Sequence, residues 1–241
     1  MSFDECGLVR KRFSVEKAER AQQTLRSRLV LSDIYGPIRI VVGLDVAYKR
    51  YGGSEAGVGV AVALSYPGFK PLACFAATRS ICVPYIPGLL AFREMAVLAP
   101  ALKKLLSRVR PDLLLVDGHG VSHPRGLGIA SHVGVVFGIP SIGVAKKRLH
   151  GREEEVSGRI LLVSESGPVG EVIVAGGSRI YVSPGHGVSL SSASRLVKGM
   201  VKGRRLPEPL RIADSLSKRI KHDLAAVHGG GLRITDCTSY I

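Results

Sequence analysis

Residues 38–48 read IRIVVGLDVAY, a run rich in β-branched residues in which one acidic side chain interrupts an apolar pattern. β-Branched residues favour strands, and successive side chains of a strand point to opposite faces. The alternation therefore sets the large apolar side chains on one face and Asp45 on the other, between Gly43 and Ala47. A buried carboxylate is normally paired or binds metal, and two very small neighbours leave room for an ion or a phosphate. The alternative is that Asp45 caps a nearby turn.

The segments around this strand predict an α/β fold. VGVAVALSY (58–66) and PLACFAATR (71–79) follow after short turns, so the first three strands form an antiparallel meander. The next segments alternate between helix and strand patterns, which predicts parallel βαβ units: helix 88–106, strand 112–117, helix 126–138 and strand 141–145. The remaining predicted elements are helix 14–30, strands 159–164, 170–176 and 179–183, and helices 189–200 and 209–221.

This order of elements predicts a mixed sheet, in which a three-strand antiparallel meander is extended by parallel strands and flanked by helices. No linker, low-complexity tract or internal repeat divides the chain. We therefore expect residues 1–241 to form a single domain.

The composition indicates a polyanionic partner. Lys and Arg number 34 against 19 acidic residues, which gives a formal charge of +15 and a pI near 10.1, while 46% of the 241 residues are hydrophobic. A core-forming chain with this surplus is expected to bind nucleic acid, because neutralising phosphates releases counterions. Charge that serves only solubility is the alternative. Membrane binding is disfavoured, since no basic amphipathic helix stands apart from the core.

The cysteines and apolar runs bear on compartment. The four cysteines show no CxxC spacing: Cys6, Cys74, Cys82 and Cys237. This scatter argues against a disulfide framework or a zinc ribbon and fits a reducing compartment. No apolar run approaches the ~20 residues of a membrane span. We therefore expect a soluble, cytoplasmic protein.

A second acid ends a strand. In LLLVDGHG, Asp117 follows a continuous apolar run, and the ends of parallel strands are where α/β sheets hold ligands. Two acids from separate strands of a basic protein suggest a Mg²⁺ site that activates water for attack on phosphate. Such a site needs further acids, for which Glu94 and Asp214 are the candidates. Each of these could instead be an exposed helix acid.

Other polar residues lie at the same edge of the predicted sheet. Lys146 and Lys147 follow strand 141–145, and only one of them can point into the cleft. A lysine there could neutralise charge on a cleaved phosphate. His119, His123 and His132 have no cysteine partner and form no i, i+4 pair on one helix, which argues against zinc.

The stretch PYIPGLLAFRE (84–94) holds a tyrosine and an isoleucine between two prolines, directly before a helix with one acid. Together with VVGLDVAY, LLLVDGHGVSHPRGLGIASHVGV, SIGVAKKRL, YVSPGHGVSL and RLPEPLRIAD, it makes the chain resemble the endonuclease V family over most of its length. The resemblance implies a ribonuclease H-like fold. His119 is a departure, since relatives often carry Gln or Asn at that position.

The resemblance also implies roles for individual residues. Asp45 and Asp117 would be the central Mg²⁺ ligands, and Glu94 and Asp214 would complete the set directly or through water. Lys146 matches the family's active-site lysine. The matching wedge that separates the strands is formed by Pro84, Tyr85, Ile86 and Pro87. His123 matches a position near the nucleic acid, and the residues implied to line the base pocket are Leu90, Gly118 and Gly120.

The activity implied by the resemblance is Mg²⁺-dependent hydrolysis, with Mn²⁺ as an expected substitute. The family recognises deaminated adenine (inosine) in DNA and cuts the second phosphodiester bond on its 3′ side, leaving 3′-hydroxyl and 5′-phosphate ends. Inosine-containing RNA is an alternative substrate, and a junction resolvase is an alternative of the same fold. We expect a monomer without an obligate protein partner.

Overall fold

The computed structural model describes residues 5–51, 54–224 and 231–241. The α-helices in these ranges are α1 (Glu5–Arg12), α2 (Val15–Arg26), α3 (Leu90–Leu106), α4 (Ile129–Phe137), α5 (Leu190–Met200) and α6 (Glu208–Asp223). The strands are β1 (Ile40–Tyr51), β2 (Ser54–Ser65), β3 (Pro71–Ser80), β4 (Leu113–Asp117), β5 (Ser141–Ala145), β6 (Arg152–Val156), β7 (Arg159–Ser164), β8 (Gly167–Ala175), β9 (Ser178–His186) and β10 (Arg233–Asp236). Among the helices described, none has the length and apolar character needed to cross a membrane.

The strands form one mixed sheet in the order β10-β3-β2-β1-β4-β5-β9-β8-β7-β6. β1, β2 and β3 pair antiparallel, and β1 pairs parallel with β4, which pairs parallel with β5. The predicted α/β class is confirmed. Beyond β5 the sheet continues through β9, β8, β7 and β6, and each of these strands pairs antiparallel with its neighbours. Short connections between successive strands favour this arrangement.

Helices cover both faces of the sheet and bury the part of β1 from Val41 to Asp45. Val41 packs into the core under α5 and α6, whereas Val42 and Leu44 pack under α3 and α4. The alternation read from the sequence therefore holds, and Asp45 lies on the α6 side. Gly43 allows the close contact with α6, because a Cβ atom there would lie 2.1 Å from the carbonyl oxygen of Pro209.

Three of these elements were not predicted: α1, β6 and β10. α1 precedes the first expected helix, and that helix ends at Arg26 rather than residue 30. β10 pairs with β3, yet all four of its residues are exposed. An exposed strand lacks the apolar alternation that identifies a half-buried one, so β10 carried no signal in the sequence.

The prediction that the cysteines do not pair was wrong. Cys6 is bonded to Cys82, and Cys74 to Cys237, across 76 and 163 residues of sequence. Cysteine spacing could not reveal either bond, because the fold brings β10 beside β3 and α1 beside the end of β3. Because all four cysteines are bonded in pairs, their scatter in the sequence does not indicate a reducing compartment.

Removing the Cys74–Cys237 bond is expected to lower the free energy of unfolding by about 2–5 kcal/mol. The bond closes a very long loop, and it holds β10 on the edge strand β3, where Cys237 also donates its backbone N–H to Cys74. Denaturant unfolding of Cys74→Ser/Cys237→Ser under oxidising conditions measures the loss. Wild-type protein treated with a thiol reductant also loses the Cys6–Cys82 bond, so its midpoint should be no higher than that of the variant. Equal stability of oxidised wild type and variant would contradict the prediction.

Candidate active site

Three aspartates from three elements converge at one edge of the sheet. Carboxylate oxygens of Asp45 on β1, Asp117 at the end of β4 and Asp214 on α6 all lie within 4.8 Å of one another. The register explains the first pair, because each aspartate follows one of the paired residues Leu44 and Val116. The close approach of α6 to β1 brings the third.

The cluster concentrates negative charge in a poorly solvated place. Burial, and then the charge of Asp117, raises the pKa of Asp45 to about 7. Glu94 on α3 is 8% exposed, and burial followed by the charges of Asp45 and Asp117 raises its pKa to about 8. Glu94 thus lies near enough to Asp45 and Asp117 for their charges to raise its pKa, although it lies outside the group of three aspartates. Buried like charges of this kind favour a cation.

Two lysines already supply part of that positive charge. The Nζ atom of Lys146 lies 2.5 Å from Asp117 Oδ2 and 2.9 Å from Asp214 Oδ1, and Lys218 Nζ lies 2.6 Å from Asp214 Oδ2. Burial lowers the pKa of Lys146, but the charges and hydrogen bonds of the two aspartates outweigh it and hold the pKa above its ordinary value. Lys147 is exposed, so Lys146 is the member of the pair that points into the cleft.

The donor set fits a hard divalent cation. The cluster offers carboxylate oxygens, which Mg²⁺ and Mn²⁺ prefer, and no described cysteine or histidine joins it. The hydroxyl of Ser217 donates a hydrogen bond to Asp45 Oδ2, which fixes the orientation of that carboxylate and leaves its other oxygen available. Ser217 and Lys218 were not identified from the sequence.

The proline-flanked loop lies beside this cluster and exposes its aromatic residue. Tyr85 is 68% exposed, and the loop leads directly into α3, whose second turn carries Glu94. The loop is held at both ends by arginines. Arg93 Nη1 donates to the carbonyl oxygen of Val83 at 2.7 Å, and Arg125 Nη2 donates to that of Gly88 at 2.8 Å.

A buried glutamine strengthens the second anchor. Gln22 on α2 is 1% exposed, and its Nε2 donates to the oxygen of Gly88 at 2.9 Å. Its Oε1 accepts from Arg125 Nε at 2.5 Å, and Glu19 pairs with the same guanidinium at 3.1 Å. None of these anchoring residues was predicted. Arg125, in SHPRG beside His123, was the one that a search for positioning residues could have found.

A cavity of about 130 Å³ lies between this loop and the DGHG turn. Leu90 and Gly118 line it, together with Tyr85, His119 and His123. The backbone at Gly118 has φ +149°, and a Cβ atom there would lie 2.4 Å from a methyl group of Ile129, so the turn requires glycine.

Gly120 lies apart from the lining of this cavity. A Cβ atom at Gly120 would lie 1.8 Å from the carbonyl oxygen of Pro184 on β9. This glycine therefore allows the turn to pack against β9. Leu90, Gly118 and Gly120 were expected to line the base pocket. Leu90 and Gly118 line the cavity, whereas Gly120 lies where the turn contacts β9.

Burial lowers the pKa of both histidines that line the cavity. Burial, and then the charge of Arg125, lowers the pKa of His123 to about 4, and burial lowers that of His119. His119 Nε2 lies 3.0 Å from the carbonyl oxygen of Lys147, which bridges the DGHG turn to the end of β5. His132 packs on α4 with its ring centroid 5.3 Å from that of Phe92.

Comparison with known proteins gives consistent matches. The family model described as Endonuclease V matches residues 23–215. A curated endonuclease V of Aeropyrum pernix is 44% identical over 214 residues, covering 88% of this chain and 82% of the relative. The crystal structure of the Streptomyces avermitilis endonuclease V aligns with a TM-score of 0.79 at 34% identity, covering 87% of this chain and 94% of that one.

A further solved structure contains DNA. The Ciona intestinalis endonuclease V, in complex with a 24-mer DNA that contains an inosine followed by a ribo-adenosine, aligns with a TM-score of 0.77 at 27% identity. The alignment covers 88% of this chain and 99% of that one.

Proposed function

The chain belongs to the endonuclease V family, and from that membership we propose that it is a Mg²⁺-dependent DNA repair endonuclease directed at deoxyinosine. It hydrolyses the second phosphodiester bond on the 3′ side of the lesion and leaves 3′-hydroxyl and 5′-phosphate ends. The observation that carries the proposal is the position of the aspartate cluster beside both the exposed tyrosine loop and the small cavity.

The acids divide into ligands and supporting groups. Asp45, Asp117 and Asp214 would hold the cation, with Glu94 acting directly or through water. A bound Mg²⁺ supplies an activated water and neutralises charge on the phosphate, and Mn²⁺ has the same preference for oxygen. Lys146 stays charged beside Asp117 and Asp214, so it orients these carboxylates and can stabilise a leaving oxygen.

The loop and the cavity account for recognition. Pro84, Ile86 and Pro87 restrict the loop, so Tyr85 loses little conformational entropy when it stacks where the altered nucleotide leaves the duplex. The flipped base enters the cavity between Leu90 and Gly118. His123 lies at the cavity wall, where its Nδ1 accepts a hydrogen bond from the backbone N–H of Arg125. An offset between cavity and acids is consistent with a cut displaced from the lesion.

End-mapping of products tests this proposal directly. A duplex with one deoxyinosine, labelled at either end, should be cut in the presence of Mg²⁺ at the second bond on the 3′ side. An undamaged duplex should stay intact. A cut at another bond would contradict the proposed displacement of the cut from the lesion. Preferential cutting of inosine RNA, an RNA–DNA hybrid or a four-way junction would favour a different nuclease of this fold.

We also propose that residues 1–241 form one domain that acts as a monomer in the cytoplasm.

Tyr85→Ala is expected to weaken binding to an inosine duplex by about 1–3 kcal/mol, the contribution of one base–aromatic stack. Binding to an undamaged duplex should change little, because the loop then has no opened site to fill. Tyr85→Phe is the matched control, since it keeps the ring, and it should retain the preference. Titration of labelled duplexes in Ca²⁺ measures both affinities. Equal affinity of wild type and Tyr85→Ala for the inosine duplex would remove the wedge role.

A further inference from the structure

α1 brings a basic surface next to the tyrosine loop. The helix ends in Arg10, Lys11 and Arg12, all exposed, and no acidic side chain in the described parts of the chain pairs with them. α1 lies outside residues 23–215, which the family model matches. It is therefore an addition to the parts of the chain that explain cleavage.

Two contacts hold α1 in this position. At its start, Cys6 is bonded to Cys82, which lies three residues before Tyr85. Immediately after its end, the ring of Phe13 packs edge-on against Phe92 of α3, with centroids 6.4 Å apart. An isolated helix of eight residues is unstable in water, so these two attachments determine where α1 lies.

The surface between α1 and the loop is positively charged. A depression of about 520 Å³ is lined by Arg10, Arg50 and Arg93 together with Pro84, the first residue of the loop. One carboxylate, that of Glu55, faces the arginines and pairs with two of them. Arg93 is buried against Glu55 and the carbonyl oxygen of Val83, so the exposed cations of this depression are Arg10 and Arg50; Lys11 and Arg12 follow Arg10 on the last turn of α1.

We propose that this surface binds the phosphate backbone of the DNA duplex flanking the site opened by the loop, and that the Cys6–Cys82 bond holds α1 there. The inference rests on the proposed function, since it assumes DNA at the loop. Phosphates are the partner that fits, because Arg10 and Arg50 extend from exposed positions and phosphate contacts need no base-specific geometry. Such contacts orient the duplex relative to Tyr85 and add affinity that is independent of the lesion.

The test compares two variants that each remove three positive charges. The α1 variant carries Arg10→Gln, Lys11→Gln and Arg12→Gln. The α3-end variant carries Lys103→Gln, Lys104→Gln and Arg108→Gln, all exposed at or just beyond the other end of α3, roughly 25 Å from its start beside the loop. Affinities for an inosine duplex and an undamaged duplex are measured in Ca²⁺ over a range of salt.

The α1 variant should reduce the slope of log affinity against log salt by about 1.8 to 2.7 units, since it loses two or three phosphate contacts and each removes about 0.9. Between about 50 and 200 mM salt, wild type should therefore lose roughly 10- to 40-fold more affinity than the α1 variant. The effect should be the same on both duplexes, and the α3-end variant should keep the wild-type slope. Equal slopes for wild type and the α1 variant, or equal reductions in both variants, would overturn the proposal.

The variant Cys6→Ser/Cys82→Ser tests the tether. It should lower the melting temperature, because the bond closes a long loop, yet leave the protein folded at the temperature of the titration, and it should move the salt slope towards that of the α1 variant. A wild-type slope in this variant would refute the role of the bond. These outcomes are separable from the proposed function, because failure to cut at inosine would appear in end-mapping while the slopes on undamaged DNA remain measurable.

Discussion

Asp45→Ala is expected to reduce nicking of an inosine duplex at least about a thousandfold, which corresponds to roughly 4 kcal/mol of lost transition-state stabilisation. Asp45 lies at the centre of the acidic cluster, and its position is fixed by β1 on one side and by Ser217 on the other. Asp117 and Asp214 already belong to the cluster and Glu94 lies outside the group of three, so no further described acid is in place to substitute for Asp45. Single-turnover cleavage with Mg²⁺, and again with Mn²⁺, measures the loss.

The controls separate loss of chemistry from loss of structure. Asp45→Asn keeps the shape of the side chain and should be nearly as inactive, whereas Glu165→Gln, which removes an exposed acid in the β7–β8 turn, should cut normally. Binding of inosine DNA by both Asp45 variants should largely survive. Retained cleavage by Asp45→Ala would rule out the metal assignment.

Removing the charge of Asp45 is also expected to affect the stability of the fold. Burial and repulsion from Asp117 raise the pKa of Asp45, so the folded protein pays for holding these carboxylates together. Removing one of them relieves the repulsion, and Asp45→Asn should unfold no more easily than wild type. An inactive variant with undiminished stability is the pattern expected when an active site is maintained at a cost to the fold.

The central strands and their acids were predictable because their signals are local. β-Branched alternation identified β1, and a continuous apolar run ending in Asp117 identified β4. Register between neighbouring strands then brings the two acids together without further information. Asp214 and Glu94 were different, since an acid on an amphipathic helix has an ordinary explanation. They were candidates because a metal site needs further acids, and the family resemblance assigned them that role. The packing of α6 on Gly43 is the physical reason that Asp214 reaches the cluster.

The parts that escaped the sequence depend on contacts between distant segments. Gln22 anchors the tyrosine loop from α2, and a buried glutamine is indistinguishable in sequence from an exposed one. Both cystines join segments whose proximity exists only in the folded chain. β10 is an exposed edge strand, held by pairing and by one of these bonds rather than by burial of its side chains. Long-range contacts of this kind leave no periodicity to read.

The lysines explain how the cluster remains folded with so many carboxylates. Lys146 bridges Asp117 and Asp214, and Lys218 neutralises the second oxygen of Asp214. Burial raises the pKa of Asp214, but hydrogen bonds from both lysines outweigh it and hold the pKa below its ordinary value. Asp45 and Glu94 have no such partner, and their pKa values are raised instead. The lysines therefore compensate the negative charge of Asp117 and Asp214, whereas the charge of Asp45 and Glu94 is left for a bound cation to compensate.

Lys146→Met is accordingly expected to slow cleavage by about 100- to 1000-fold, the range for loss of one preorganised charge at a reacting phosphate. Methionine keeps the length and apolar part of the side chain while removing the ammonium that orients Asp117 and Asp214. Lys147→Met is the matched control, because it removes the same charge from the next residue, whose side chain is exposed, and it should change the rate less than about threefold. Single-turnover rates at saturating enzyme make the comparison independent of affinity. If the two variants were slowed equally, Lys146 would act only through the general positive field, and the bridge between the two aspartates would have no part in the reaction.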